Sequence, residues 1–279
     1  MKSRTKDIEV KVQDLQFSNK SEIILISGPC QIENEYHALK ICEKIIKISN
    51  KNKLKFVYKS SFDKANRTSI KSSRGVGIEK GLKILQNIKS NFGIPVLTDV
   101  HESWQCQIVS EVVDIIQIPA FLCRQTDLLI SAAKTKKAVN VKKGQFLSPF
   151  EMKHIVSKLE STGNRKILIT ERGTMFGYNN LVTDLRSLSI MKKMGYPVIF
   201  DATHSVQLPG ASITSGGESE FIPLLSKAAI TVGISSLFIE THDNPASAPS
   251  DSSTMLKIQK LSELLNQIKM FDALTKKIL

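Results

Sequence analysis

Short apolar, β-branched runs alternate along the chain with longer segments whose apolar residues recur at helical spacing. Eight runs of four to six residues read as strands: 23–27, 55–60, 95–98, 114–118, 138–142, 166–170, 197–201 and 236–240. Between them, amphipathic segments such as 36–48, 77–89, 149–161 and 181–194 read as helices. Ser148-Pro149-Phe150-Glu151 carries helix-start chemistry, a capping hydroxyl followed by proline at the first helical position. Gly93, Gly144, Gly163 and Gly195 fall near element ends, where tight turns are needed. Strands that are apolar throughout are buried on both faces, as parallel strands covered by helices are. Eight βα units without a composition break predict one closed (β/α)8 (TIM) barrel domain over 1–279. Within the 1–20 extension, residues 8–17 alternate weakly and predict an N-terminal β-hairpin capping the barrel floor. The 251–277 stretch predicts the last helix. An open doubly wound sheet is the rival, but its Gly-x-Gly-x-x-Gly fingerprint is absent after the first strand.

At 279 residues, 41% hydrophobic and 23% charged, the chain has the composition of an ordinary globular protein with a large core. No apolar run approaches the roughly 20 residues of a membrane span, and the basic start has no apolar segment behind it, so a cytoplasmic chain is expected. Cys30, Cys42, Cys106 and Cys123 are too few and too irregular for a disulfide framework or a zinc ribbon. The net charge of +13 invites a nucleic-acid reading. Against it, aromatics make up only 6% and none interleaves the lysine-rich stretches, so no nucleic-acid partner is expected.

Polar, reactive residues follow every predicted strand, at the end where barrel enzymes do their chemistry. They include Gly28-Pro29-Cys30, Lys59, Asp63 to Thr68, Asp99 and His101, Gln117 to Ala120, Lys142-Lys143, Glu171-Arg172, Asp201 to His204, and Glu240 to Asp243. Among them, Lys59, Lys64, Arg67, Lys142 and Arg172 are cations that repel one another unless an anion fills the mouth or Asp63, Asp99 and Glu171 pair with them. A phosphorylated, carboxylated small molecule fits that charge. A second subset, Cys30, His204, Glu240 and one of Asp243 or Asp251, has the donors of a divalent-metal site and converges only if the last strand closes on the first. Cys42 and Cys106 read as packing residues, His37 and His154 as surface residues on helices, and Trp104 as a helix–barrel packing residue. Gly216-Gly217 reads as a hinge or an anion-binding turn, and the 209–218 loop is expected to move on binding.

Four motifs carry a resemblance. Lys59-Ser-Ser-Phe-Asp-Lys-Ala-Asn-Arg-Thr-Ser69, the Gln117–Asp127 run, Asn140-Val-Lys-Lys-Gly-Gln-Phe146 and Asp201-Ala-Thr-His-Ser-Val-Gln-Leu-Pro-Gly210 resemble 3-deoxy-D-manno-octulosonate 8-phosphate synthases, in one register from about residue 23 to about 265. The resemblance implies a barrel, a homotetramer and a condensation of phosphoenolpyruvate with D-arabinose 5-phosphate in lipopolysaccharide precursor synthesis. It implies that Lys64, Lys142 and Arg172 hold phosphoenolpyruvate beside Gln117 and Ala120. Lys59, Asn66, Arg67, Thr68 and Gln207 are implied for the sugar phosphate, and Arg124 for the sugar phosphate of a neighbouring subunit. Thr68 stands where serine is common, and the hydroxyl is kept.

Cys30 after the first strand resembles the metal-dependent branch, which implies Cys30, His204, Glu240 and Asp251 as ligands of zinc, iron, manganese or cobalt. Asp251 is preferred to Asp243 because of its spacing from Glu240. Lys64, Lys142, Arg172 and His204 are the implied catalytic residues. The related 3-deoxy-D-arabino-heptulosonate 7-phosphate synthases, which use erythrose 4-phosphate, are the alternative. Their pattern is Lys-Pro-Arg-Thr, whereas this chain reads Lys64-Ala-Asn66-Arg67-Thr68.

Overall fold

Eight parallel strands, in chain order, form a closed ring. The computed structural model describes residues 7–67, 69–175, 178–209 and 216–279. The strands are β1 (Ile24–Gly28), β2 (Lys55–Lys59), β3 (Val96–Asp99), β4 (Ile115–Ile118), β5 (Ala138–Lys142), β6 (Ile167–Glu171), β7 (Val198–Asp201) and β8 (Ser236–His242). Each overlaps its predicted run. The ring shuts because β8 pairs with β7, Asp201 beside Phe238, and with β1, Glu240 beside Gly28. The N- and C-terminal thirds of the chain thus meet at one seam.

Among the described residues, eight α-helices cover the ring: α1 (Glu35–Lys51), α2 (Ile78–Phe92), α3 (Gln105–Ser110), α4 (Thr126–Lys134), α5 (Met152–Glu160), α6 (Arg186–Lys192), α7 (Ile222–Ile230) and α8 (Ile258–Ile278). Their apolar faces and the outward strand residues form one continuous shell, with Ile41, Leu85, Val109, Leu129, Leu159 and Leu265 all buried. Local chemistry sets the helix starts. Asn34 caps α1 by accepting the His37 backbone N–H at 2.9 Å, and Ser148 with Glu151 makes a reciprocal capping box just before α5. Gly93, with φ +63°, ends α2 in the left-handed conformation.

Inside the ring the contents change with height. At the bottom, the hairpin Val10–Val12 and Leu15–Phe17 buries Val10, Val12, Leu15 and Phe17 against inward residues such as Ile24, Val57, Leu97, Ile115, Leu168 and Ile199. This is the predicted floor cap. Asn19 ties it down, accepting from the Val198 N–H at 2.8 Å and donating to the Tyr196 carbonyl at 2.9 Å. Higher up, Asn140 donates to Gln117 (3.1 Å) and accepts from Thr170 (2.6 Å), so this buried polar layer is internally satisfied. Charged groups occupy the top, at the C-terminal strand ends.

Three sequence readings are corrected. The 181–194 segment is not one helix: Leu181–Val182 pairs with Thr174–Met175, and α6 starts only at Arg186. Asp184 breaks the pattern by accepting the Arg186 backbone N–H (3.0 Å), the turn-forming habit of a short carboxylate. Trp104 is 54% exposed at the start of α3, its indole N–H on Glu102 rather than in the shell. Gly216–Gly217 is a strand against Gln207–Leu208, and a Cβ on Gly217 would stand 2.0 Å from Thr254 Cγ2; close approach, not a hinge or an anion turn, explains the glycine. Within the 209–218 loop, residues 210–215 lie outside the described residues, as does Thr68.

Candidate active site

The β1, β7 and β8 ends bring Cys30, His204, Glu240 and Asp251 to one place. One ligand atom from each of Cys30, Glu240 and Asp251 lies within 4.8 Å of the other two. Cys30 Sγ is 2.9 Å from Asp251 Oδ2 and 3.1 Å from Ser250 Oγ. His204 Nε2 is 3.8 Å from Glu240 Oε2 and 3.9 Å from Asp251 Oδ2. The imidazole is oriented from behind, Nδ1 lying 2.7 Å from Asp201 Oδ2. With Nδ1 held by Asp201, Nε2 faces two carboxylates, an arrangement that needs positive charge there, either on the ring or as an ion between them. Glu240 Oε2 supports the same reading, being buried without a hydrogen-bond partner. Asp251 adopts φ +48°, a sparsely populated conformation, and the Thr254 and Met255 N–H groups hold its carbonyl at 3.0 and 3.2 Å. The sulfur, imidazole and two carboxylates fit a divalent metal.

Electrostatics around the cluster follow from its burial. Burial, then the charges of Asp251 and Glu240, push the Cys30 thiol well above its usual range, against an opposing pull from Lys64 and Lys59. Burial would raise Asp251, but His204, Lys64, the Cys30 hydrogen bond and Lys59 outweigh it and hold the carboxyl at about 2. Glu240 is likewise held below its ordinary value, because Lys59, His204 and Lys64 outweigh burial and the repulsion of Asp251.

The cations form the second half of the rim. Lys59, 1% exposed, donates to Glu240 (2.7 Å), the Cys30 carbonyl (3.1 Å) and Ser61 (3.1 Å). Lys142 pairs with Asp201, lies 3.3 Å from His204 Nδ1 and sits 3.7 Å from the Phe238 ring centroid. Burial lowers its pKa despite the pull of Asp201 and Glu240. Burial alone would also lower Lys64, but Cys30, Glu240, Asp99 and Asp251 surround it and raise its pKa instead. Arg172, 3% exposed, donates through Nη2 to Gln207 Oε1 (2.6 Å), while its buried Nη1 has no partner. Gln207 in turn donates to Asp251 Oδ1 at 3.0 Å, so one amide joins the cationic and metal-type halves. Arg67 bridges Gln31, Ser73, Pro249 and Ser250, all neutral acceptors.

The carboxylates considered as partners for these cations mostly have other occupations: Asp63 holds Arg74, Asp99 takes Ser61 and His101, and Glu171 faces Lys143. Gln117 and Ala120 are buried at and just past the end of β4, whereas Asn66 and Arg124 are exposed. Asp243 does not join Cys30; it lies with His37 and Lys40.

Two contributors have no assigned role in the sequence reading. Asp201 is fully buried, anchors both Lys142 and His204, and is held below the ordinary carboxylate range because they outweigh burial. Its position three residues before His204 was the available signal. Lys143 is fully buried, its ammonium on the Gly144 and Leu147 carbonyls (3.2 Å each) and Thr174 Oγ1 (3.2 Å), so it ties the β5 and β6 loops together.

The DAHP synthetase I family matches residues 7–277. The 2-dehydro-3-deoxyphosphooctonate aldolases of Rickettsia typhi and Rickettsia prowazekii are each 55% identical to this chain, over 268 and 270 residues. The protein of that name from Rickettsia canadensis is also 55% identical. In each comparison 96% of this chain and 98% of the relative are covered.

Proposed function

The chain belongs to the DAHP synthetase I family, and we propose that it condenses phosphoenolpyruvate, D-arabinose 5-phosphate and water to 3-deoxy-D-manno-octulosonate 8-phosphate and inorganic phosphate. That product is the compound named in the rickettsial relatives, and the reaction serves lipopolysaccharide precursor synthesis. The identity to those relatives across nearly the whole chain carries the reading over the heptulosonate alternative. The buried rim of cations gives it physical sense: Arg172 Nη1 is an N–H donor awaiting an acceptor, as a phosphate or carboxylate oxygen would supply.

In this reading Lys64, Lys142 and Arg172 hold phosphoenolpyruvate, with Gln117 and Ala120 as the wall beside it. Lys59, Asn66, Arg67, Thr68 and Gln207 hold the sugar phosphate; the charge of Arg67, met here only by neutral acceptors, suits an anion. Lys59 lies deep, so its charge serves the buried end of that subsite. Arg124, exposed in the single chain, serves the sugar phosphate of a neighbouring subunit in a homotetramer. Cys30, His204, Glu240 and Asp251 hold a divalent ion (zinc, iron, manganese or cobalt). When bound there, the ion supplies Lewis-acid charge beside the sugar aldehyde.

The π-electrons at C3 of phosphoenolpyruvate attack the aldehyde carbon of the open-chain sugar, whose oxygen takes up one proton, and water adds at C2 as hydroxyl and gives one up. As C3 attacks, C2 becomes electron-deficient; Lys64 and Arg172, preorganised by Gln207 and by their acidic surroundings, hold the phosphate and carboxylate oxygens so that C2 stays open to the incoming water. Asp201 keeps Lys142 in place and holds the Nδ1 proton of His204. The hemiketal phosphate then loses phosphate by C–O cleavage, and burial of the reacting groups keeps bulk water from competing.

The deciding assay is phosphate release from phosphoenolpyruvate with arabinose 5-phosphate or erythrose 4-phosphate, before and after chelation. Release with arabinose 5-phosphate alone, lost to chelator and restored by a divalent ion, is the expected result. Release with erythrose 4-phosphate instead would overturn the substrate, and activity surviving thorough chelation would overturn the metal.

A further inference from the structure

A second donor cluster lies where the first turn of α1 meets the end of β8. One ligand atom from each of Glu33, His37 and His242 lies within 4.8 Å of the other two. The His37 and His242 rings lie 4.6 Å apart between centroids, tilted by 37°. His37, read from the sequence as a surface residue, has a side chain only 12% exposed. Its Nε2 faces Asp243 Oδ1 at 3.2 Å, which places the ring proton there, and its buried Nδ1 has no hydrogen-bond partner. That unpartnered lone pair is 3.8 Å from Glu33 Oε1, which is itself 2.7 Å from His242 Nε2.

We propose that Glu33, His37 and His242 form a second metal site, for a divalent transition ion of the zinc class. Two imidazoles and one carboxylate are a known donor set for such ions, with bonds of ~2.0–2.2 Å. Tetrahedral ligand atoms at that reach lie roughly 3.3 Å apart, so the 2.7 and 3.8 Å separations need only sub-ångström adjustment. The outer partners are also in place. Asp243 orients His37 from behind, as carboxylates do for metal-bound histidines. Lys40 at 2.8 Å and Lys44 at 3.8 Å already neutralise Asp243, which makes it a positioning group rather than a ligand. The Asn34 cap fixes the His37 backbone. Glu33 is partly exposed and leaves a coordination position to solvent. His242 Nδ1 now accepts from the Asn244 N–H at 2.9 Å, so its proton sits on Nε2, toward Glu33. Metal binding at Nε2 requires that proton to pass to Nδ1 and the Asn244 N–H to give way, with Asp243 Oδ1, 3.5 Å from Nδ1, as the new acceptor.

The donors here are nitrogen and oxygen only, unlike those of the Cys30 cluster, and that difference makes the site testable. The metal-free full chain is titrated with cobalt(II), with bound ions counted by equilibrium dialysis and absorbance recorded. Two cobalt ions per chain are expected. Cys30→Ser should keep one ion without the near-ultraviolet thiolate-to-cobalt band, and His37→Gln should keep one with it. A wild-type chain that binds one ion, lost on Cys30→Ser, overturns the proposal. So does an unchanged count in His37→Gln or, should that variant misfold, in Glu33→Gln at the partly exposed position. If the Cys30 cluster binds nothing, the wild type takes one bandless ion that only the His37 and Glu33 variants lose, which upholds this site and sinks the other.

Discussion

Gly28→Ala tests how closely the site depends on one contact between strands. A Cβ at Gly28 would lie 1.9 Å from the Lys59 carbonyl oxygen and 2.9 Å from its carbon. Ordinary contact begins at 3.4 Å, so β1 and β2 must part by about 1.5 Å. The obstacle is backbone in a ladder, not a side chain that can turn away. Overpacking of this kind costs ~1–3 kcal/mol, and the melting temperature should fall by roughly 2–4 °C per kcal/mol at this size. The larger effect should fall on turnover. Gly28 leads directly into Pro29-Cys30, and Lys59 holds both Glu240 and the Cys30 carbonyl. A misplacement of ~1 Å among reacting groups costs about 100-fold. The assay is kcat for phosphate release beside a thermal melt. Wild-type kcat with an unchanged melt would refute the argument that this approach fixes the geometry.

Gln207→Leu, which cuts the bridge between Arg172 and Asp251, should weaken metal retention ~10–100-fold and raise the KM for phosphoenolpyruvate together; dialysis and steady-state kinetics check both, and a change in only one would break the link. Phe17→Ala, at the fully buried floor plug, should cost ~3–5 kcal/mol of stability, read as a lower urea midpoint. Lys276, lowered by burial to about 8 against the pull of Asp272, has released its proton in the folded chain between pH 8 and 10.5 while the unfolded chain still holds it. Stability therefore rises with pH across that window, by roughly 3 kcal/mol in full, and urea melts of wild type against Lys276→Met should show wild type gaining as pH climbs; a pH-independent difference would contradict the assignment.

The barrel was legible because each inner strand is short, apolar and separated from the next by a helical period. Lys55 to Lys59 and Ala138 to Lys142 match their predicted runs within a residue. The 181–194 segment misled because its apolar spacing continues through Asp184, and only the carboxylate's capture of the Arg186 N–H reveals the break. Convergence of Cys30 with Glu240, more than two hundred residues apart, followed from ring closure, whereas Asp251 rather than Asp243 followed from the family resemblance. What periodicity could not supply was who holds whom. Lys142 and His204 share Asp201, Lys143 takes Glu171, and His37 turns inward onto His242, because those pairings depend on side-chain direction above the strands.

The hairpin under the ring has a consequence for traffic. With Phe17 and its neighbours stoppering the lower end, the barrel is a cul-de-sac with one door, and everything enters and leaves past the same rim. Whichever molecule settles deepest must arrive first and depart last, so the order of visits is written into the architecture before any affinity is considered.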